Sequence, residues 1–360
     1  MSFRIFTVNP GSTSTKIALF EDGEKYFDAN VTHQSSELDR FDDIAGQLDY
    51  RRDTILELLA EAGYSLEGTD AFVGRGGGLV PLVGGTYRVN EIMLSHARQC
   101  LAGPHPATLG CQLAHSLKEQ YGGSAFVVNP PDVDEFCDYA RMTGIKGVYR
   151  ESRVHALNQK EVAIRHAASI GKKYEELNLI VAHLGGGISI AAHRQGRMID
   201  SNDTLNGDGP FAPTRCGAIA VKSVLGLDSD HVRPLITKAG GLVSHLGTSD
   251  VVEVHRRIDS GDRYAELVYE SMIYQIAKQI GAMAAVLKGK VDAIILTGGI
   301  ARDNKLVETL KESIEFVAPV TAIPGEFEME ALAAGALRVL KGEETSLEYS
   351  GVPVWNGFDV

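Results

Sequence analysis

Short apolar runs cut by glycine-centred turns alternate along this chain with longer stretches whose apolar residues recur every three or four positions. That alternation predicts strands interleaved with helices, an α/β protein. The first stretch is the clearest. Ile5, Phe6 and Val8 form a strand-like run, and the polar loop NPGSTSTK occupies residues 9–16. Ile17, Ala18, Leu19 and Phe20 form a second run that ends at the hairpin signal Asp22-Gly23. A third strand over 26–31 closes a meander. The same order returns at 178–202. Leu179, Ile180 and Val181 run into Gly185-Gly186-Gly187, Ile188, Ile190 and Ala191 leave it, and a turn at Gly196 leads to Met198-Ile199. One supersecondary unit repeated at this distance predicts a duplicated domain and not a solenoid.

Helical spacing is predicted over 35–62, 91–101, 107–121, 152–170, 218–226, 229–239, 262–288 and 327–341, with a break at 103–110. Strands are predicted at 70–74, 87–89, 124–128, 291–296 and 320–323. In 262–288 the apolar stripe Ala265, Val268, Met272, Ile276, Ile280, Met283 fits burial in a domain core, with a dimer face as the alternative. The Gly/Pro-rich stretch 202–217 is a long loop inside a compact region, the kind that usually carries function. The tail from Glu343 is polar and is expected to be peripheral.

At 360 residues the chain can hold two full cores. A net charge of −12 argues against non-specific nucleic-acid binding, so an anionic ligand must be drawn by local cations. No run of eighteen apolar residues is present, and the first residues enter a strand without a charged-then-apolar leader. Cys100, Cys111, Cys137 and Cys216 show no zinc spacing and fit a reducing compartment. The expectation is a cytoplasmic protein with no membrane partner.

The loop 9–16 gathers what a phosphate needs. Gly11 permits close approach, Ser12 and Ser14 bring hydroxyls, Asn9 an amide and Lys16 a charge. It is not a Walker loop, because GxxxxGK[ST] is absent and a strand follows it. Gly298 and Gly299 follow a strand and open a helix, where a nucleotide could approach, and Gly240-Gly241 is a second such point. Arg75 and Arg215 lie in glycine-rich loops, with His105, His155 and His183 in similar context. Phosphoryl transfer works by positioning and electrostatics, and such cations supply both. A sugar hydroxyl acceptor needs a carboxylate base, for which Asp132, Asp134, Asp203 and Asp208 are available. A carboxylate acceptor is already ionised and needs only cations and donors.

Seven motifs in this order, NPGSTSTK, VGRGGG, RVHALNQK, HLGGGIS, NGDGPFAPTRCG, GGLVSHLGTSD and LTGGIARDN, resemble the acetokinase family from Phe3 to about Gly342. The resemblance implies a duplicated actin-like (ribonuclease H-like) two-domain fold with an interdomain cleft. It also implies reversible formation of an acyl phosphate from a short carboxylate, ATP and Mg2+. The rival readings are a sugar or polyol kinase of the same fold and a non-catalytic nucleotide switch. By motif, catalytic residues fall on Arg75, His155, His183 and Arg215. Nucleotide contacts fall on Asn9, Ser12, Ser14, Lys16, Gly185, Gly186, Gly187, Asp250, Gly298, Gly299 and Ile300. The metal falls on Asn9 and Glu328, with Glu330 as the alternative.

Two departures stand out. Asn129 occupies the place where the family has Asp, with Asp132 and Asp134 close by, and Thr108 stands where the family has Asn. The expected domains are 1–150 for the acyl side and 151–342 for ATP, with 343–360 as tail. The expected partners are a small carboxylate and further copies of the chain, as a homodimer or higher oligomer.

Overall fold

The computed structural model describes residues 2–101, 103 and 105–358. Pro104, within the predicted break, and the last two residues of the tail lie outside them. The chain divides into two compact units, 1–134 with 327–360 and 135–326. The division therefore falls sixteen residues earlier than the sequence suggests, and the last helix belongs with the first unit.

In the first unit the strands are β1 (Arg4–Pro10), β2 (Ser14–Glu21), β3 (Glu24–Thr32), β4 (Ala71–Gly74), β5 (Thr86–Arg88) and β6 (Ser124–Val128). In the second they are β7 (Asn178–Leu184), β8 (Ile188–Arg194), β9 (Arg197–Ser201), β10 (Ala293–Gly298) and β11 (Val320–Pro324). β12 (Leu347–Glu348) returns to the first. The sheet orders are β12-β5-β6-β4-β1-β2-β3 and β11-β10-β7-β8-β9. β1, β4 and β6 run parallel beside the antiparallel meander β1-β2-β3. β7, β10 and β11 do the same beside β7-β8-β9. The duplication expected from the two glycine hairpins is thus present in strand order. Both hairpins close through paired left-handed residues, Asp22-Gly23 and Gln195-Gly196, whose turn twist matches that of the strands.

The first core is built by Phe6, Ile17, Phe72, Leu113 and neighbours, with Ile55 and Leu59 from helix Leu48–Glu61. The second lies between β8, β10 and helix Arg263–Val286. In that helix Val268, Met272, Ile276 and Ile280 are buried, as the core reading expects.

Some predicted elements are shorter. The 35–62 stretch is a turn of helix at Ser35–Leu38 and helix Leu48–Glu61, separated by Gly46 and a 3-10 turn. The 218–226 helix shrinks to Val221–Val224. The tail is not peripheral. β12 pairs with β5, and Tyr349 is 2% exposed with its hydroxyl accepting from the Val80 amide.

Candidate active site

In the first unit the loop after β1 is held from beneath. Arg51, fully buried on helix Leu48–Glu61, donates from Nη1 to the Gly11 carbonyl at 2.9 Å and to Thr15 Oγ1 at 3.1 Å. From Nη2 it donates to the Ser12 carbonyl at 3.1 Å. A planar fork suits this task, because it binds several carbonyls of one tight turn at once. The carbonyls are drawn inward, and Ser12 and Thr13 stay exposed. Thr15 also pairs with His33 Nε2 at 2.8 Å. Burial, with Arg51 alongside, pushes the His33 pKa down to about 4.

Glu328, in the first turn of helix Glu328–Leu340, gathers three predicted residues. Arg75 Nη1 lies 2.6 Å from Oε1, Asn9 Nδ2 donates to Oε2 at 2.8 Å, and Lys16 Nζ is 3.8 Å from Oε2. Glu330 pairs instead with Lys25, at 3.1 Å, on the β2–β3 hairpin side. Arg75 follows β4, its amide bonded to the Val8 carbonyl, and its buried Nε has no hydrogen-bond partner among the described residues. The glycines at Arg75 serve packing. A Cβ on Gly110 would lie 1.8 Å from the Arg75 carbonyl oxygen, and one on Gly78, at φ +72, would lie 2.7 Å from Thr108 Cγ2. His105 caps the following turn through Nδ1, and burial, reinforced by the Arg75 charge, lowers its pKa. Asn129 is committed to structure. In the left-handed region at φ 39, its Oδ1 accepts from the Gly85 amide at 2.8 Å.

In the second unit His183 on β7 stacks on His155, which precedes helix Ala156–Ser169, with ring centres 4.0 Å apart and planes 13° apart. Arg215 lies flat on the glycine loop. A Cβ on Gly187 would sit 2.2 Å from its Nη1, so only glycine admits the guanidinium. Nη1 donates to the Thr204 carbonyl at 2.7 Å, and the buried Nε has no hydrogen-bond partner among the described residues. Burial lowers its pKa, against the pull of Asp203. The 202–217 loop is ordered by its own carboxylates. Asp203 accepts from the Leu205 and Asn206 amides, and Asp208 pairs with Arg150. Thr214 Oγ1 donates to the Gly186 carbonyl and ties this loop to the other.

Asp250, Gly299 and Ile300 line one cavity of about 520 Å³ with His255, Arg302 and Asp303. Asp250 also caps the next helix through the Val252 amide. Gly298 does not line that cavity. Its φ is +89, and a Cβ there would meet the Leu184 carbonyl at 2.3 Å, so this glycine seats β10 on β7. Gly240-Gly241 likewise is a backbone crossing, with Cβ positions 2.1 Å from the Leu235 carbonyl and 1.6 Å from that of Ala212.

Among the described residues no three acidic, His or Cys side chains converge as a metal cage. Mg2+ binds through one or two carboxylates plus phosphate oxygens and water, and Glu328 is the carboxylate at this loop, its two oxygens here facing Arg75, Asn9 and Lys16.

Two sheets that repeat one strand order, each opening with a glycine hairpin, define the actin-like fold. The acetate kinase of Porphyromonas gingivalis shares the fold, with a TM-score of 0.75 and 20% identity over 94% of this chain and 100% of that one. The model of the acetokinase family matches residues 140–318. Butyrate kinase 2 of Clostridium acetobutylicum is 45% identical, and a probable butyrate kinase of Clostridium botulinum 44%. Each match spans 97% of this chain and 100% of the relative. The chain belongs to the acetokinase family and is an enzyme of the kinase class.

Proposed function

We propose that this enzyme phosphorylates a short-chain carboxylate, butyrate or a close relative, with ATP, giving an acyl phosphate and ADP. The observation that carries the reading is Arg215. It is a guanidinium laid on a glycine loop, bonded to a carbonyl rather than to a carboxylate. A cation placed this way calls for an anion. The names of the Clostridium relatives support butyrate as that anion's source.

The acceptor carboxylate arrives ionised, so its oxygen attacks the γ-phosphorus of ATP with no base. The bond to the β,γ-bridging oxygen breaks, and ADP leaves with that electron pair. Arg75 and Arg215 neutralise carboxylate and transferring phosphoryl. The hydroxyls of Ser12 and Ser14, with Lys16 and the glycines 185–187, bind phosphate oxygens. Asp250, Gly299 and Ile300 hold the nucleoside. Glu328, with Asn9, is the residue that would hold Mg2+, through water. When bound, Mg2+ would neutralise phosphate charge. A sugar-kinase reading loses two of its bases, since Asp203 and Asp208 are spent on the loop and on Arg150. Four free cysteines support a reducing, cytoplasmic setting. Exposed Leu267 and Tyr274 on helix Arg263–Val286 support self-association, which light scattering would measure.

Hydroxylamine trapping tests the chemistry. ATP with acids from acetate to valerate, isobutyrate included, should give hydroxamate, most with butyrate or isobutyrate. Hydroxamate from none, with product from a sugar, would refute the reading. Arg215→Ala should lower turnover by about 10² or more.

A further inference from the structure

Two side chains on helix Ala156–Ser169, and one on β8, decide where the protons sit on the stacked histidines. The hydrogen bonds at the two Nδ1 atoms carry the assignment.

Gln159 is fully buried, and its side-chain amide approaches the Ser189 carbonyl at 3.1 Å and Ser189 Oγ at 2.7 Å. A carbonyl only accepts, so the NH2 end must face Ser189. The oxygen end then faces His193 Nε2, 2.9 Å away, which must carry a proton. His193 Nδ1 is left to accept from the Tyr174 hydroxyl at 2.7 Å. Complete burial, with Lys160 nearby, pushes the His193 pKa down to about 3, in keeping with a neutral ring. Ser189 Oγ already accepts from Gln159. Ser189 is fully buried, and among the described residues His155 Nδ1, 2.8 Å away, is the acceptor in reach of its hydroxyl, so the proton goes there and is not left unpaired. Neutral His155 keeps its own proton on Nε2.

The neighbouring histidine obeys the opposite constraint. Asn158 Nδ2 donates to the carbonyls of Gly325 and Glu326, at 3.1 and 2.6 Å. Its oxygen end faces His183 Nδ1 at 2.7 Å, so that nitrogen carries the proton and neutral His183 has a lone pair on Nε2. The rings stack at 4.0 Å. Two imidazolium cations at that separation would repel, which disfavours a second extra proton on the pair.

We propose that Asn158, Gln159 and Ser189 are positioning residues that lock His155 and His183 in opposite tautomers, making neutral His155 the donor at Nε2 and neutral His183 an acceptor there. Resting on the acyl-kinase reading, the assignment divides the work. His155 donates to the transferring phosphoryl, and His183 serves such an oxygen only after taking a proton onto Nε2.

The test is 15N NMR of the histidine-labelled full chain, about two pH units above the ordinary imidazole value of about 6.5. His155→Gln and His183→Gln assign the two rings. The expected spectrum has the proton on Nε2 in His155 and on Nδ1 in His183. A proton on His155 Nδ1, or the same tautomer in both rings, overturns the proposal. Ser189→Ala should mix the His155 tautomers and lower kcat about tenfold with KM for ATP little changed. An unchanged tautomer and kcat in that variant also overturns it. Wild-type protein that forms no hydroxamate would sink the reaction instead, and the tautomers would still be read from the spectrum.

Discussion

Arg51→Met is the sharpest test of how the first phosphate loop is built. The wild-type side chain is fully buried and donates to Gln47 Oε1, the Gly11 and Ser12 carbonyls and Thr15 Oγ1, all at 2.9 to 3.1 Å. Thr15 retains His33 in the variant, and the exposed position of Ser12 lets water reach its carbonyl. Gly11 O and Gln47 Oε1 lose their donor outright. Each such loss costs about 1–3 kcal/mol, offset in part by methionine having no charge to desolvate. A net loss of about 3 kcal/mol follows. In a unit of about 170 residues that lowers the melting temperature by about 6–12 °C.

Freed carbonyls can also rotate outward toward the phosphates they were turned from. The KM for ATP should therefore rise about tenfold or more, assayed well below the melting temperature so that unfolding does not contribute. Arg51→Lys should fall between, because one ammonium cannot reproduce the fork. A methionine variant with wild-type melting and wild-type KM would show that the loop holds its shape without the arginine.

Other outcomes follow from single contacts. Glu328→Gln weakens the Arg75 pair and the proposed metal position, so kcat should fall about 10² and the Mg2+ requirement should rise, while Glu330→Gln stays near wild type. Equal effects of the two in Mg2+ titrations would contradict that placement. Gly110→Ala drives a Cβ into the Arg75 carbonyl and should cost about 3 kcal/mol in denaturant unfolding; an unaffected midpoint would refute the close contact. His33 and His193 have folded pKa values depressed to about 4 and about 3. The unfolded chain binds those protons below about 6.5 and the folded chain does not, so stability is full above that pH and declines as pH falls toward 4. Urea midpoints at pH 7.5 and 5 should differ in that sense, and a flat profile would contradict neutral burial.

The hairpins were legible because their turns are chemically determined. Asp-Gly between alternating apolar runs selects the positive-φ turn, and at Gln195-Gly196 the glycine supplies the signal while Gln195 follows it to φ 50. Arg51 was not read, although a signal existed. It lies four residues before Ile55 and eight before Leu59, on the buried stripe of its helix, whereas Arg52 beside it faces Asp49 and Asp53. The usual solvation of arginine hid that phase. The return of residues 327–360 to the first unit was hidden for another reason. It depends on contacts such as Gly335 against Val128, where a Cβ would lie 2.5 Å from Cγ1, and local pattern carries no long-range address. Gly298 and Gly240 were read as ligand approaches because a glycine that admits a ligand and one that admits a backbone look alike in sequence.

The repeated strand order makes the differences between the two loops informative. In the first unit a buried cation satisfies the loop carbonyls and a carboxylate, Glu328, already holds Arg75. In the second unit the glycine loop itself is anchored through neutral groups. Thr214 bonds Gly186, Asn202 bonds β8 through Ile188 and Ile190, and Arg215 rests on Gly187 with its Nη1 on the Thr204 carbonyl and Asp203 as a more distant charge. The same scaffold therefore carries one arginine in direct contact with a carboxylate and one bonded to a carbonyl, which under the proposed function would meet an anionic ligand. A chain with net charge −12 repels anions at long range. Attraction must come from cations at short range, and under the proposed function Arg215, bonded to a carbonyl and not to a carboxylate, is the first candidate. An anion should therefore protect the second unit, 135–326, from thermal unfolding more in wild type than in Arg215→Ala, and equal protection would move the attracting charge elsewhere.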